Sequence, residues 1–139
     1  MKFLHSMVRV KNLDESLDFY VNKLGLVENR RKEYPDAKFT LVYLRDRETQ
    51  AEVELTYNWE QEEGYTNGNN FGHLAFLVDD IYQMCEQLEK EGVQILRPPR
   101  DGYMAFIKSP DGISIELLQK DGPLEVKEPW KSRESVGTW

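Results

Sequence analysis

The sequence has one cysteine, Cys85, two histidines, His5 and His73, and no apolar run near the length of about 18 residues that a spanning helix needs. A lone cysteine excludes an internal disulfide and a zinc site closed by several thiolates. Cys85 stands at helical spacing between Tyr82 and Leu88, with no basic cluster to lower its pKa, so it reads as a small buried hydrophobe and not as a nucleophile. The missing apolar run argues against an integral membrane protein. The opening residues lead to Arg9 and Lys11 without a signal core, so a cytoplasmic location is expected. Positive charge is also short. Lys and Arg number 18 against 25 Asp and Glu, a formal net charge of -7, and a nucleic-acid partner is not expected because a duplex binder needs a basic face.

What is present is enough for a folded domain: 139 residues, 40% of them hydrophobic and 12% aromatic. The chain also repeats itself with a period of about 65 residues, longer than a solenoid unit. Phe3 to Val10 reads as a strand, Asn12 or Asp14 can cap a helix built on Leu13, Leu17, Tyr20, Val21 and Leu24, and Gly25 ends it. Phe71 to Val78 repeats the strand, Asp79-Asp80 the cap, Ile81, Met84, Cys85 and Leu88 the apolar stripe, and Gly92 the stop. Three strand-like segments are expected after each helix: 26–34, 39–45 and 52–58, then 93–96, 103–108 and 113–119. The expected fold is therefore α+β, two βαβββ modules over 1–60 and 71–120. Residues 61–70 form the connection, Ser109-Pro110-Asp111-Gly112 a tight turn, and 121–139 an aperiodic C-terminal tail.

Both histidines occupy the same place in their module, five residues before the valine that closes the first strand. Glu54 and Glu116 likewise share a place in the two last strands, each followed by leucine among apolar neighbours. A carboxylate in such a strand is costly to bury without compensation, and the repeat supplies it twice. Two imidazoles and two carboxylates suit a borderline divalent cation such as Ni2+, Co2+, Zn2+ or Fe2+ and leave room for water or substrate. By alternation Arg9 shares a strand face with His5, and Asn58 with Glu54.

Five segments taken together resemble glyoxalase I, of the vicinal-oxygen-chelate superfamily: Leu4 to Val10, Asp14 to Tyr20, Val53 to Trp59, Phe71 to Ala75, and Ser109 to Leu117. The resemblance spans about residues 1–120 in order and implies that His5, Glu54, His73 and Glu116 are metal ligands. It further implies a homodimer whose sites are shared, His5 and Glu54 of one chain being completed by His73 and Glu116 of the other. Histidine at the first ligand position is similar to the bacterial Ni2+- or Co2+-activated type and differs from the animal Zn2+ enzymes, which carry glutamine there. The implied reaction isomerises the methylglyoxal-glutathione hemithioacetal to S-D-lactoylglutathione through an enediolate, with Glu116 as the main base, Glu54 as its counterpart, and Arg9 and Asn58 holding the γ-glutamyl end of glutathione. Asn69 and Asn70 stand where animal members carry an arginine for the glycyl carboxylate, which leaves Arg97 and Arg100 as the cationic candidates for that task. The competing readings are another enzyme of this fold, an epimerase or a dioxygenase, and a drug-binding module without catalysis. Dioxygenases of the group use two His and one Glu, and a drug-binding module has no use for four ligands.

Overall fold

The chain divides into two units, Met1–Thr66 and Asn67–Trp139, at a point inside the connection expected over 61–70; the structure, a computed structural model, describes all of residues 1–139. In the first unit, strand β1 (His5–Val10) leads to helix α1 (Leu13–Leu17), which continues as a π-helical turn over Asp18–Lys23. Asn12 is the residue that caps α1, its side chain accepting from the Glu15 N–H at 3.2 Å. The helical stretch stops at Gly25, whose φ of +80° suits a residue without Cβ. Strands β2 (Val27–Tyr34), β3 (Phe39–Arg45) and β4 (Glu52–Asn58) follow. The sheet order is β1-β4-β3-β2, with β1 parallel to β4 and the other pairs antiparallel.

Alternation then decides which side chains are buried. Val8, Val10, Val42, Leu44, Val53 and Leu55 lie on one face and are buried with Phe19, Tyr20 and Leu26, each large aliphatic side chain contributing about 1.5–3 kcal/mol by leaving water. The opposite face carries His5, Met7 and Arg9 on β1, Glu52, Glu54, Thr56 and Asn58 on β4, and Tyr43 on β3 directly across from Glu54.

The second unit repeats the plan with β5 (His73–Val78), α2 (Ile81–Lys90), β6 (Met104–Lys108) and β7 (Ser114–Gln119), in sheet order β5-β7-β6. Asp80 caps α2 by accepting from the Tyr82 and Gln83 N–H groups, both at 2.9 Å. Buried Gln119 fastens the end of β7 to the start of α2: its amide accepts from the Ile81 N–H at 2.8 Å and donates to the Asp79 carbonyl at 2.9 Å. The strand expected over 93–96 does not form. The edge of this sheet is reduced to one bridge, Arg97 to Phe106; beyond it Pro98 and Pro99 have no N–H to continue a ladder.

Residues 121–139 contain no helix or strand, yet they lie against the second unit. Trp130 is 1% exposed, the Leu124 N–H donates to the Gly102 carbonyl at 3.0 Å, the Tyr82 hydroxyl to the Glu125 carbonyl at 3.1 Å, and the Val136 N–H to the Leu96 carbonyl at 2.9 Å. No helix is long and apolar enough to cross a membrane. Cys85 is fully buried on the inner face of α2, and burial pushes its thiol pKa up to about 12, as suits an inert packing residue.

Candidate active site

Each unit brings together one histidine and one glutamate by the same device. His5 opens β1 and Glu54 lies on the parallel neighbour β4, side chains on one face, so that His5 Nε2 stands 2.9 Å from Glu54 Oε2. His73 opens β5 and Glu116 lies on its parallel neighbour β7, with His73 Nε2 3.1 Å from Glu116 Oε2. The two glutamate side chains are 10% and 13% exposed, while the histidines are 34% and 44% exposed, so each pair sits at the mouth of its sheet face with the imidazole outward.

These distances fit a divalent metal. Two donors each about 2.1 Å from one cation are separated by about 3 Å at the right angles of octahedral coordination and by about 3.4 Å at tetrahedral angles, and the spacing in both pairs is nearer the first. Neither unit gathers three His, Cys, Asp or Glu side chains; each brings together one histidine and one glutamate.

The surroundings of the pairs correspond and then diverge. In the first unit the ring of Tyr43 meets His5 edge-on, centroids 5.7 Å apart, and in the second the ring of Phe106 meets His73 in the same way at 5.5 Å. Both aromatic residues are the direct cross-strand partners of the glutamates, Tyr43 of Glu54 and Phe106 of Glu116. Tyr43 is covered by the Arg30 guanidinium, 3.5 Å from its centroid, and Arg30 is itself held by Glu52 at 2.8 Å. The hydrogen bond from Arg30 is the main reason the Glu52 carboxyl lies below its usual pKa. Phe106 is covered by Trp139, stacked at 6.0 Å. Tyr43, Arg30 and Phe106 were not identified from sequence, since strand spacing does not tell which residue faces a glutamate across the ladder.

Arg9 and Asn58 fall where alternation puts them, on the face of His5 and Glu54. Arg9 is exposed and joins none of the chain's ion pairs, and the Asn58 amide donates to the Tyr65 hydroxyl at 3.0 Å. Arg97 and Arg100 are engaged within the second unit. Arg97 pairs with Asp101 at 2.9 Å and donates to the Met104 carbonyl, and Arg100 donates to the Arg133 carbonyl at 3.0 Å and the Ser135 hydroxyl at 3.1 Å. Both guanidinium groups thus serve the fold.

Residues 2–117 match the Glyoxalase/Bleomycin resistance protein/Dioxygenase superfamily. The chain belongs to this superfamily. Among its glyoxalase relatives, the lactoylglutathione lyase of Neisseria meningitidis serogroup A is 44% identical over 127 residues, covering 86% of this chain and 91% of that protein. A probable lactoylglutathione lyase from Synechocystis is 42% identical, covering 86% and 95%. The solved trypanothione-dependent glyoxalase I of Leishmania major is 36% identical and superposes with a TM-score of 0.79, covering 86% of this chain and 87% of that one. The antibiotic-binding protein TnmS3 from Streptomyces shares the fold, with a TM-score of 0.68 at 19% identity, covering 89% of this chain and 97% of that one.

Proposed function

We propose that the chain is a glyoxalase I, converting the methylglyoxal-glutathione hemithioacetal to S-D-lactoylglutathione. The observation that carries this is the duplicated His–Glu pair at ligand spacing, His5 with Glu54 and His73 with Glu116, in a chain 44% identical to a lactoylglutathione lyase. The repeated ligand set favours this over a drug-binding role, which needs no ligands, and over a dioxygenase, which needs three.

His5, Glu54, His73 and Glu116 would hold one divalent cation, which polarises the substrate oxygens and acidifies the adjacent carbon-bound hydrogen. Two imidazoles and two carboxylates form a borderline donor set that suits Ni2+, Co2+ and Zn2+ alike, and Ni2+ is the favoured ion because histidine at the first ligand position, His5, resembles the bacterial nickel- or cobalt-activated type. Since each unit contributes only two ligands, the reading includes a homodimer in which His5 and Glu54 of one chain face His73 and Glu116 of the other. The exposed large side chains Phe3, Leu4, Met7, Phe71 and Leu77 favour such an assembly. The compartment is taken as cytoplasmic, in keeping with a single buried thiol.

The residues then divide the work. Glu116 takes the proton from the carbon that bears sulfur, and the electron pair left behind forms the double bond to the neighbouring carbonyl carbon as the π pair of that carbonyl moves onto its oxygen. The same carboxylic acid returns the proton to that neighbour, while the hydroxyl proton of the first carbon passes to the second oxygen, leaving a thioester and a secondary alcohol. Glu54 is the opposing carboxylate. Arg9, exposed beside the site, grips the α-carboxylate of the γ-glutamyl group with two parallel hydrogen bonds, and the Asn58 amide supports it. The test is isomerase activity on methylglyoxal plus glutathione after metal stripping and reloading with nickel, cobalt or zinc. Activity that vanishes on stripping and returns best with nickel is expected; a fully loaded protein that fails to form the thioester refutes the proposal.

A further inference from the structure

The repeat places two carboxylates in equivalent backbone positions and surrounds them differently. Glu54 has a hydroxyl on both sides: Thr56, two residues on and on the same face, donates to Glu54 Oε1 at 3.3 Å, and Tyr43 lies directly across the ladder. The other oxygen, Oε2, is the one beside His5, so both oxygens of Glu54 are engaged. The phenol of Tyr43 is fixed in turn by the edge contact with His5 and by Arg30, which bridges from its ring to Glu52. Glu116 has hydrocarbon at both matching places. Leu118 stands two residues on where the first unit has Thr56, and Phe106 stands across the ladder where it has Tyr43. Ser114, on the same face, keeps its buried hydroxyl unbonded, so that group does not hold Glu116 either.

We propose that Tyr43 and Thr56 are positioning residues whose hydroxyls hold Glu54 in place as a ligand, while Phe106 and Leu118, offering none, leave Glu116 free to swing from the metal and carry the proton. This rests on the glyoxalase I reading and explains why, of two matched glutamates, one binds and the other moves. Hydrogen bonds to a ligating carboxylate orient it and strengthen its hold on the ion, and an apolar wall gives no such restraint.

Two matched substitutions test it. Tyr43→Phe removes the hydroxyl and keeps the ring, and nickel should leave the loaded protein about tenfold faster when a chelator is added, in the range set by partners of ligating groups. Thr56→Val should act in the same direction and Thr56→Ser should release nickel at the wild-type rate. Phe106→Tyr supplies Glu116 with the missing donor; kcat should fall about tenfold with KM within about twofold of wild type, and nickel should be released no faster. Leu118→Thr replaces it if the first variant does not fold, as judged by the melting temperature of the metal-free protein. Release from Tyr43→Phe within about twofold of wild type overturns the proposal, as does an undiminished kcat in the variants that give Glu116 a hydroxyl. The release measurement needs no turnover, so it decides the role of Tyr43 even if the wild-type protein proves inactive, which is the result that would refute the function itself.

Discussion

The two units share a topology, a His–Glu pair and an aromatic ring set edge-on to the histidine, but differ in most of what lies around them. On the first, the site face carries Arg9, Glu52, Thr56 and Asn58 beside Met7, Phe39 and Leu41, with Arg30 lying over Tyr43; on the second it carries Ala75, Leu77, Met104, Phe106 and Leu118 beside Lys108 and Ser114. In the proposed reading one backbone plan serves two tasks. The face with more polar and charged groups would grip a charged peptide thiol, and the face with fewer donors would leave its carboxylate free to move a proton. The His–Glu pair is the part held in common.

The sharpest way to break this comparison is to exchange the chemistry of the matched glutamates. Glu116→Gln removes the base and a metal ligand together and should lower kcat by at least about 100-fold, since general acid–base groups supply about that much or more. Turnover above about a tenth of wild type, a loss under about 1.4 kcal/mol in the barrier, would show that the moving carboxylate lies elsewhere.

A second experiment asks whether the two kinds of face meet in one site across a dimer. His5→Ala and His73→Ala proteins should each be inactive. Mixed under conditions of subunit exchange, they should recover about a quarter of wild-type activity, because half of the dimers are mixed and each mixed dimer has one site with both lesions and one with neither. Verified exchange without recovery places both halves of each site within a single chain.

How much of this was legible in the sequence depends on whether the signal was local. Histidine and glutamate recur at matching places in the first and last strands of the two modules, so all four candidate ligands could be named, and the structure pairs them as 5 with 54 and 73 with 116. Asn12 was one of two cap candidates and Asp80 lay in an expected cap pair, because caps act on the next turn of chain. The strand over 93–96 was misjudged because the apolar content of Val93, Ile95 and Leu96 serves burial there without a ladder, the one bridge falling at Arg97. Tyr43 and Phe106 stayed hidden because a cross-strand partner is set by register between distant segments. The burial of Trp130 was hidden for a related reason, since residues 121–139 fold by docking on another surface and have no period of their own.

That docking marks another difference between the units, and Gly102 probes it. Its φ is +69°, and a Cβ there would lie 2.3 Å from the Leu124 carbonyl oxygen, a backbone atom of 121–139 that cannot move aside alone. Gly102→Ala should destabilise the second unit by about 2–4 kcal/mol, seen as a lower melting temperature of the metal-free protein. An unchanged melting temperature would mean that this part of the chain is not tied to the unit at Gly102.

The smallest expected effect falls on the polar face, at Arg9. The chain is acidic overall, with a formal net charge of -7, so an anionic thiol gains little from the protein's general field and depends on a local cation. Arg9 is exposed, carries no ion pair within the chain, and shares the face of His5 and Glu54. A guanidinium presents two parallel donors to a carboxylate, whereas an ammonium presents a point charge, so Arg9→Lys keeps the sign and loses the fit. The expected result is a KM for the hemithioacetal raised about tenfold, a cost of about 1.4 kcal/mol in binding, with kcat, metal content and melting temperature close to wild type. If instead the variant loses metal or melts early while its surviving molecules bind substrate as before, Arg9 serves the fold. The polar face of the first unit would then need another cation to hold the thiol.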